Sequence, residues 1–180
     1  VAVTGVQTCA LPICYSLTMK VYVTSRSQVS KHTSKFGASH VLSLCDPGKR
    51  PWLHPKTPLQ NSRLWVFEDV IDPEYDRAPK KEQVEEILEW AKGLPEDAVL
   101  LVHCEAGVSR STAIALAILV QNRGVNELDK CVDWLFAVRP EAAPNPLIAR
   151  YADEILNCNG KLIQAAQKLN DNKLLFRFKY

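Results

Sequence analysis

The sequence lacks several features that would assign it to a specialised class of protein. The longest apolar run, residues 113–120, is far shorter than the roughly 20 residues needed to span a membrane. The formal net charge of +2 is too small to predict binding to nucleic acid or to a membrane surface. Neither an internal repeat nor a low-complexity tract is present. With 180 residues, 47% of them hydrophobic and 23% charged, the chain is typical of one soluble globular domain.

The first 18 residues contain no Lys, Arg, Asp or Glu. They therefore lack the basic region of a secretory signal. Residues 3–13, VTGVQTCALPI, resemble the translation of a common sequencing adapter. We expect residues 1–18 to be an artefactual extension with Met19 as the native start, and a genuine extension is the alternative. One domain is predicted over residues 19–170, followed by a C-terminal tail over 171–180.

Beyond that extension the cysteines are few and widely spaced: Cys45, Cys104, Cys131 and Cys158. No two of them form a CxxC pair, which argues against a disulfide framework or a zinc site. Free thiols suit a reducing compartment, so a cytoplasmic location is expected. The four histidines are scattered as well. We therefore predict neither a metal site nor another cofactor.

Hydrophobic patterning predicts strands that alternate with helices. Strand-like runs occupy residues 20–24, 40–45, 63–67 and 98–103. Helical patterns occupy residues 25–36, 80–93, 111–123, 126–138 and 144–159, with a continuation over 161–169. This alternation predicts an α/β fold with a central, mainly parallel sheet flanked by helices. The run 98–103 is almost wholly apolar, as in a strand buried on both faces, and ligands of such sheets lie beyond the carboxyl ends of the strands.

The stretch from His103 to Ser111, HCEAGVSRS, directly follows that run. A chain that turns here from strand to helix can present its backbone N–H groups to an anion, and the helix adds the positive end of its dipole. Gly107 tolerates a positive φ, and Arg110 offers a planar fork that matches two phosphate oxygens. The same surroundings favour the thiolate form of Cys104. The stretch therefore predicts a nucleophile on a phosphate-binding loop.

The stretch also fits the pattern H-C-x-x-G-x-x-R-S, which resembles the signature of protein tyrosine and dual-specificity phosphatases. Arg139-Pro140 and the segment from Pro144 to Leu147 resemble compact bacterial relatives of that group. The resemblance covers residues 19–160 and implies a cysteine-phosphatase fold of the phosphotyrosine phosphatase II type. It implies hydrolysis of phosphate monoesters, phosphotyrosine and also phosphoserine or phosphothreonine in proteins, through a cysteinyl-phosphate intermediate.

By this resemblance, Cys104 is the nucleophile, Arg110 binds phosphate, and Ser111 stabilises the leaving thiolate in the second step. His103 orients the loop and helps to keep Cys104 ionised. The remaining phosphate contacts would come from the backbone of Glu105, Ala106, Gly107, Val108, Ser109 and Arg110. The other cysteines have no comparable motif residues beside them, and we expect them to fill core or surface positions.

A general acid must protonate the leaving oxygen. The predicted loop after the third strand offers five carboxylates: Glu68, Asp69, Asp72, Glu74 and Asp76. Asp69 stands at the end of that strand in a Phe-Glu-Asp-Val sequence, which resembles the Phe-Asp-Asp motif of compact relatives. It is the first candidate, and Asp72 is the second. Asn145 is a candidate to place the attacking water of the second step, or to cap a helix.

Other functions are compatible with a cysteine on an anion-binding loop. A pseudophosphatase would bind phosphate without chemistry, although the intact Cys104, Arg110 and Ser111 favour catalysis. A sulfurtransferase or arsenate reductase is disfavoured by the form of the motif and by the upstream acidic loop. Phosphoinositides and RNA 5′-phosphates are alternative substrates, for which the basic loop could line the path: Lys49, Arg50 and Lys56. We expect a phosphorylated protein or another phosphate monoester as partner, no nucleic acid or membrane partner, and a monomer.

Overall fold

A computed structural model describes the backbone of residues 19–49 and 57–177, and side chains as far as Asp171. The predictions made for residues 1–18, Arg50 and Lys56 lie outside the described residues. Among the described helices, none combines the length and the apolarity needed to cross a bilayer.

In the described part of the chain, four parallel strands form one sheet in the order β1-β4-β2-β3. They are β1 (Lys20–Ser25), β2 (His40–Cys45), β3 (Ser62–Val66) and β4 (Val99–Cys104). The bounds of each strand lie within one residue of the prediction. In the centre of the sheet, Leu101 of β4 pairs with Tyr22 on one side and with Val41 on the other. This central position explains the continuous apolar run of β4, since helices cover both of its faces.

Six α-helices flank the sheet within the described residues. They are α1 (Val29–Phe36), α2 (Lys81–Lys92), α3 (Arg110–Arg123), α4 (Leu128–Val138), α5 (Pro146–Ile155) and α6 (Lys161–Arg177). α1 covers one face, where Val29 packs with Val41 and Leu101. The larger core on the opposite face receives the predicted apolar side of α2, namely Val84, Ile87, Leu88 and Ala91. α3 is buried along most of its length, which holds its first turn rigidly against the end of β4.

Four helices differ from the prediction at their ends. The segment 25–36 opens with a short 3₁₀ turn, Arg26–Gln28, and the Ser25 side chain makes no capping hydrogen bond. Another 3₁₀ turn, Val125–Glu127, precedes α4, which begins at Leu128 and not at residue 126 as predicted. The predicted helix over 144–159 ends at Ile155 because Asn157, Asn159 and Gly160 adopt positive φ, which breaks the helix before α6. α6 runs beyond residue 170 into the segment assigned to a tail.

Candidate active site

Cys104 is the last residue of β4, and Arg110 is the first residue of α3. The five residues between them form the predicted anion loop. The Cys104 side chain is buried, with 2% of its surface exposed. Its Sγ lies 3.1 Å from the hydroxyl of Ser111 and accepts a hydrogen bond from the N–H of Gly107 at 3.3 Å. The sulfur therefore has two hydrogen-bonding partners, one in the loop and one in the first turn of α3.

Most carbonyl groups of this loop have hydrogen-bond partners, whereas most of its N–H groups have none in the described part of the chain. Loop carbonyls accept hydrogen bonds from groups outside the loop: Glu105 from Arg26 N (3.1 Å), Ala106 from Arg139 Nη2 (2.8 Å), Val108 from Ala143 N (2.9 Å) and Ser109 from Asn145 N (3.3 Å). The N–H groups of four loop residues donate to no acceptor within the described residues: Glu105, Ala106, Val108 and Ser109. Because these carbonyls accept hydrogen bonds from residues outside the loop and these N–H groups have no such acceptor, the loop can bind an anion.

Three of these four outer partners come from one segment of the sequence, and the fourth, Arg26, follows β1. Arg139, Ala143 and Asn145 lie in the segment between α4 and α5. The sequence associated that segment with a family resemblance but assigned no contact to it. In the structure it supports the anion loop from outside, so the two motifs form one unit.

Gly107 is required both by backbone conformation and by space. Its φ is +70°, in the region that side chains other than glycine rarely adopt. A Cβ at this position would lie 2.6 Å from the backbone N of Ser25 and would also clash with the carbonyl of Thr24. The end of β1 therefore packs directly against the loop backbone.

Arg110 is buried, with 3% of its side chain exposed. Its Nη1 donates to the carbonyl of Phe67 at 2.7 Å and lies 2.8 Å from Oδ1 of Asp46. Asp46 also pairs with Lys49 at 3.1 Å, and Lys49 pairs with Glu105 at 3.3 Å. Burial alone would raise the pKa of Asp46, but the hydrogen bond from Lys49 and the charge of Arg110 outweigh it and hold that pKa below its usual value. Asp46 is therefore anionic at neutral pH.

Asp46 was not among the predicted site residues, although a signal for it exists. It directly follows β2, which neighbours β4 in the sheet. Residues that follow parallel strands meet at the same edge of the sheet, where ligands bind. The order of the strands is needed to use that signal.

His103 is fully buried beneath the loop, and its Nε2 lies 2.7 Å from the hydroxyl of Ser43. Burial lowers its pKa to about 4, and the backbone of Cys104 opposes this shift only in part. The ring is therefore uncharged at neutral pH. Any support that it lends to the Cys104 thiolate comes from packing and hydrogen bonding rather than from a positive charge.

Asp69 is exposed in the loop after β3 and is tethered to the anion loop. Its Oδ1 accepts hydrogen bonds from the hydroxyl of Ser109 at 2.7 Å and from the side-chain amide of Asn145 at 2.8 Å. Asn145 is buried, and its own Oδ1 accepts the N–H groups of Leu147 and Ile148 at the start of α5. The capping alternative for Asn145 is thus confirmed, and the same side chain also holds the loop after β3 that contains Asp69.

The other carboxylates of that loop have local partners. The side chain of Asp72 accepts the N–H of Glu74 at 3.0 Å and closes its own turn. Glu68 pairs with Arg77 at 3.0 Å. Within the described residues, Asp69 is the carboxylate of this group that contacts the loop around Cys104.

The remaining described cysteines differ from Cys104 in their surroundings. Cys45, Cys131 and Cys158 are buried and free. Burial raises the pKa of each, which keeps them in the neutral thiol form. In the described part of the chain, His, Cys, Asp and Glu do not gather into a cluster suited to a metal ion.

Comparison with known proteins gives a consistent result. Residues 21–151 match the family model described as dual specificity phosphatase, catalytic domain. The MAP kinase phosphatase with leucine-rich repeats protein 3 of Dictyostelium discoideum is 28% identical over 130 residues, which are 70% of this chain and 13% of that protein. The human protein phosphatase Slingshot homolog 2 is 28% identical over 156 residues, which are 81% of this chain and 10% of that protein. The chain therefore spans about a tenth of the length of these curated relatives.

Solved structures confirm the predicted fold. The crystal structure of human DUSP28 superimposes with a TM-score of 0.57 at 20% sequence identity. The match covers 77% of this chain and 89% of that one. The central parallel sheet flanked by helices is thus the predicted cysteine-phosphatase architecture.

Proposed function

We propose that this chain, which belongs to the dual specificity phosphatase catalytic-domain family, hydrolyses phosphate monoesters with Cys104 as nucleophile. One observation carries the proposal. The sulfur of Cys104 lies inside a loop in which four carbonyls accept hydrogen bonds from outside, while four N–H groups have no acceptor within the described residues and can bind an anion. A phosphoryl group is the anion that such a loop, with a buried arginine beside it, fits best.

In the first step, the Cys104 thiolate attacks phosphorus and the bond to the ester oxygen breaks. The S–P bond that forms is the covalent intermediate. Free loop N–H groups and Arg110 stabilise the charge on the equatorial oxygens, as preorganised donors do in phosphoryl transfer. Asp69 gives its proton to the leaving oxygen. The hydrogen bond from the Ser109 hydroxyl supports this assignment, because it keeps Asp69 close to the loop.

In the second step, water attacks phosphorus and gives its proton to Asp69. The S–P bond breaks, inorganic phosphate leaves, and the thiolate of Cys104 is restored. The hydroxyl of Ser111, 3.1 Å from the sulfur, can donate a hydrogen bond to that leaving thiolate. Asn145 keeps the carboxylate of Asp69 in place for both steps, since its amide is anchored by the start of α5.

The direct test is replacement of the nucleophile. Cys104→Ser is expected to bind tungstate, an inert analogue of phosphate, and to show no turnover of p-nitrophenyl phosphate. Cys131→Ser, which alters another buried thiol, is the matched control and should retain turnover. Residual activity in Cys104→Ser would show that the thiolate is not the attacking group.

A second test identifies the acid. Asp69→Asn should lower turnover of aryl phosphates by roughly 10²- to 10⁴-fold near the acidic-to-neutral optimum, because the leaving oxygen loses its proton donor. Asp72→Asn is the matched control and should retain the optimum, since the side chain of Asp72 accepts a hydrogen bond from its own turn, at Glu74. The assignment is wrong if Asp69→Asn leaves turnover intact and Asp72→Asn abolishes it.

For the substrate, we propose phosphotyrosine and also phosphoserine or phosphothreonine in proteins. The cation Lys49, a candidate to receive a polyanionic substrate, is already paired with Asp46 and Glu105. Such pairing favours a singly phosphorylated group over a phosphoinositide or an RNA 5′-phosphate. Rates on a panel of phosphopeptides, phosphoinositides and 5′-phosphorylated RNA will rank these classes.

We further propose a monomeric, cytoplasmic enzyme. The four cysteines among the described residues are free and buried, which supports a reducing compartment. Sedimentation at micromolar concentration tests the monomer, and fractionation of the native cells tests the location.

A further inference from the structure

We propose that Asp46 is a positioning residue for Arg110, and that it determines which edge of the guanidinium faces the phosphoryl group. The inference rests on the proposed function, because it assigns the role of Arg110 in that reaction. Asp46 directly follows β2, and Arg110 begins α3, so the pair joins two elements at the carboxyl edge of the sheet.

The hydrogen-bonding capacity of the guanidinium carries the argument. A guanidinium has five N–H donors, two of which are on Nη1. Phe67 accepts from Nη1 through its carbonyl at 2.7 Å, and Asp46 accepts through Oδ1 at 2.8 Å. Both protons of Nη1 are therefore used by the protein.

The opposite edge of Arg110 is left for a ligand. Its Nε is buried and has no hydrogen-bond partner within the described residues. A buried donor without a partner is unfavourable, and a bound phosphoryl oxygen would satisfy it. With Nη1 fixed by Asp46 and Phe67, the Nε edge can bind two oxygens side by side.

The charge of Asp46 distinguishes positioning from binding. An anionic carboxylate next to the site repels a phosphoryl dianion, so Asp46 weakens anion binding by charge alone. Its benefit must then come from the orientation of Arg110. Neutralising Asp46 should therefore reduce kcat while leaving anion affinity unchanged or higher.

The experiment compares Asp46→Asn with wild type in kcat for p-nitrophenyl phosphate and in the calorimetric Kd for tungstate. We expect kcat to fall by about 10- to 100-fold, as small displacements of catalytic groups produce, with no loss of tungstate affinity. Glu154→Gln is the control, since it removes a carboxylate from a pair of the same 2.8 Å length, with Lys81, away from the loop. It should match wild type in both measurements.

Two outcomes would overturn the inference. One is a wild-type kcat in Asp46→Asn, and the other is a parallel loss of kcat and tungstate affinity, which indicates a disrupted loop. Should Asp46→Asn fail to fold, Asp46→Glu decides, because it keeps the charge but displaces the carboxylate. We expect it to lose kcat severalfold and to keep its tungstate affinity, and a wild-type kcat there contradicts the inference. An inactive wild type, by contrast, refutes the proposed function itself.

Discussion

Replacing Gly107 by alanine tests whether the anion loop depends on its contact with the end of β1. The new Cβ would lie 2.6 Å from the backbone N of Ser25 and would overlap the carbonyl of Thr24. These are backbone atoms of a strand paired with β4, so they cannot turn aside as a flexible side chain could. The loop must move away from Cys104 instead.

The magnitude follows from two terms. A side chain at φ +70° costs about 1–2 kcal/mol in backbone strain. Forcing an extra methyl group into a packed site costs typically about 1–3 kcal/mol more. The free energy of unfolding should therefore fall by about 2–5 kcal/mol, which lowers Tm by roughly 4–20 °C for a chain of this size.

Calorimetry and aryl phosphate kinetics measure the two consequences. Gly37→Ala is the matched control, because Gly37 has a similar φ of +64° but a Cβ there would meet nothing within 4 Å. Gly37→Ala should therefore lose only the stability that backbone strain costs. Gly107→Ala should have a lower Tm than Gly37→Ala, because the packing cost is added to the strain. Turnover should fall by about 100-fold in Gly107→Ala alone, since the N–H that faces Sγ is displaced.

The reasoning is refuted if Gly107→Ala loses no more stability than Gly37→Ala, because the close approach would then be unimportant. It is also refuted if Tm falls as expected while turnover is unchanged. In that case, the position of the Gly107 N–H would not matter to the chemistry.

Two further predictions concern the neighbours of Cys104. Ser111→Ala should slow hydrolysis of the cysteinyl-phosphate and lower kcat by up to about 100-fold, since the donor 3.1 Å from the sulfur is lost. A burst of phenolate in rapid-mixing kinetics is the readout. An unchanged kcat without a burst contradicts the prediction. Because the pKa of His103 falls from 6.5 to about 4 on folding, its contribution to stability is complete above pH 6.5 and declines as the pH drops toward 4. Urea unfolding at pH 7.5 and pH 5 should show a decline of about 2 kcal/mol from this group, which His103→Asn should remove; an equal decline in both proteins would refute the assignment.

The strands and the position of Cys104 at the start of its loop were predictable because their signals are local. Continuous apolar runs marked β2 and β4, whose bounds match to within a residue. Nine consecutive residues, from His103 to Ser111, contain the turn, the thiol and the arginine expected to bind phosphate, so no knowledge of distant contacts was needed. Helix ends were less predictable: Asn157 and Asn159 adopt positive φ, and hydrophobic periodicity does not show which asparagines do so.

The choice among the loop carboxylates illustrates the limit of sequence. Asp69 and Asp72 lie three residues apart in a polar loop, and the sequence left both as candidates for the acid. The structure separates them, because Asp69 contacts Ser109 and Asn145, 40 and 76 residues away along the chain. Contacts of that range depend on how the loop lies over the sheet.

By itself, the sequence determined the α/β architecture and the loop that holds Cys104, because periodicity and a contiguous motif are properties of neighbouring residues. Only the tertiary structure decided the partners of that loop. The strand order β1-β4-β2-β3 brings Asp46 to Arg110 and the end of β1 to Gly107. The physical reason is that parallel strands distant in sequence place their carboxyl ends at one edge of the sheet, where groups from several segments meet.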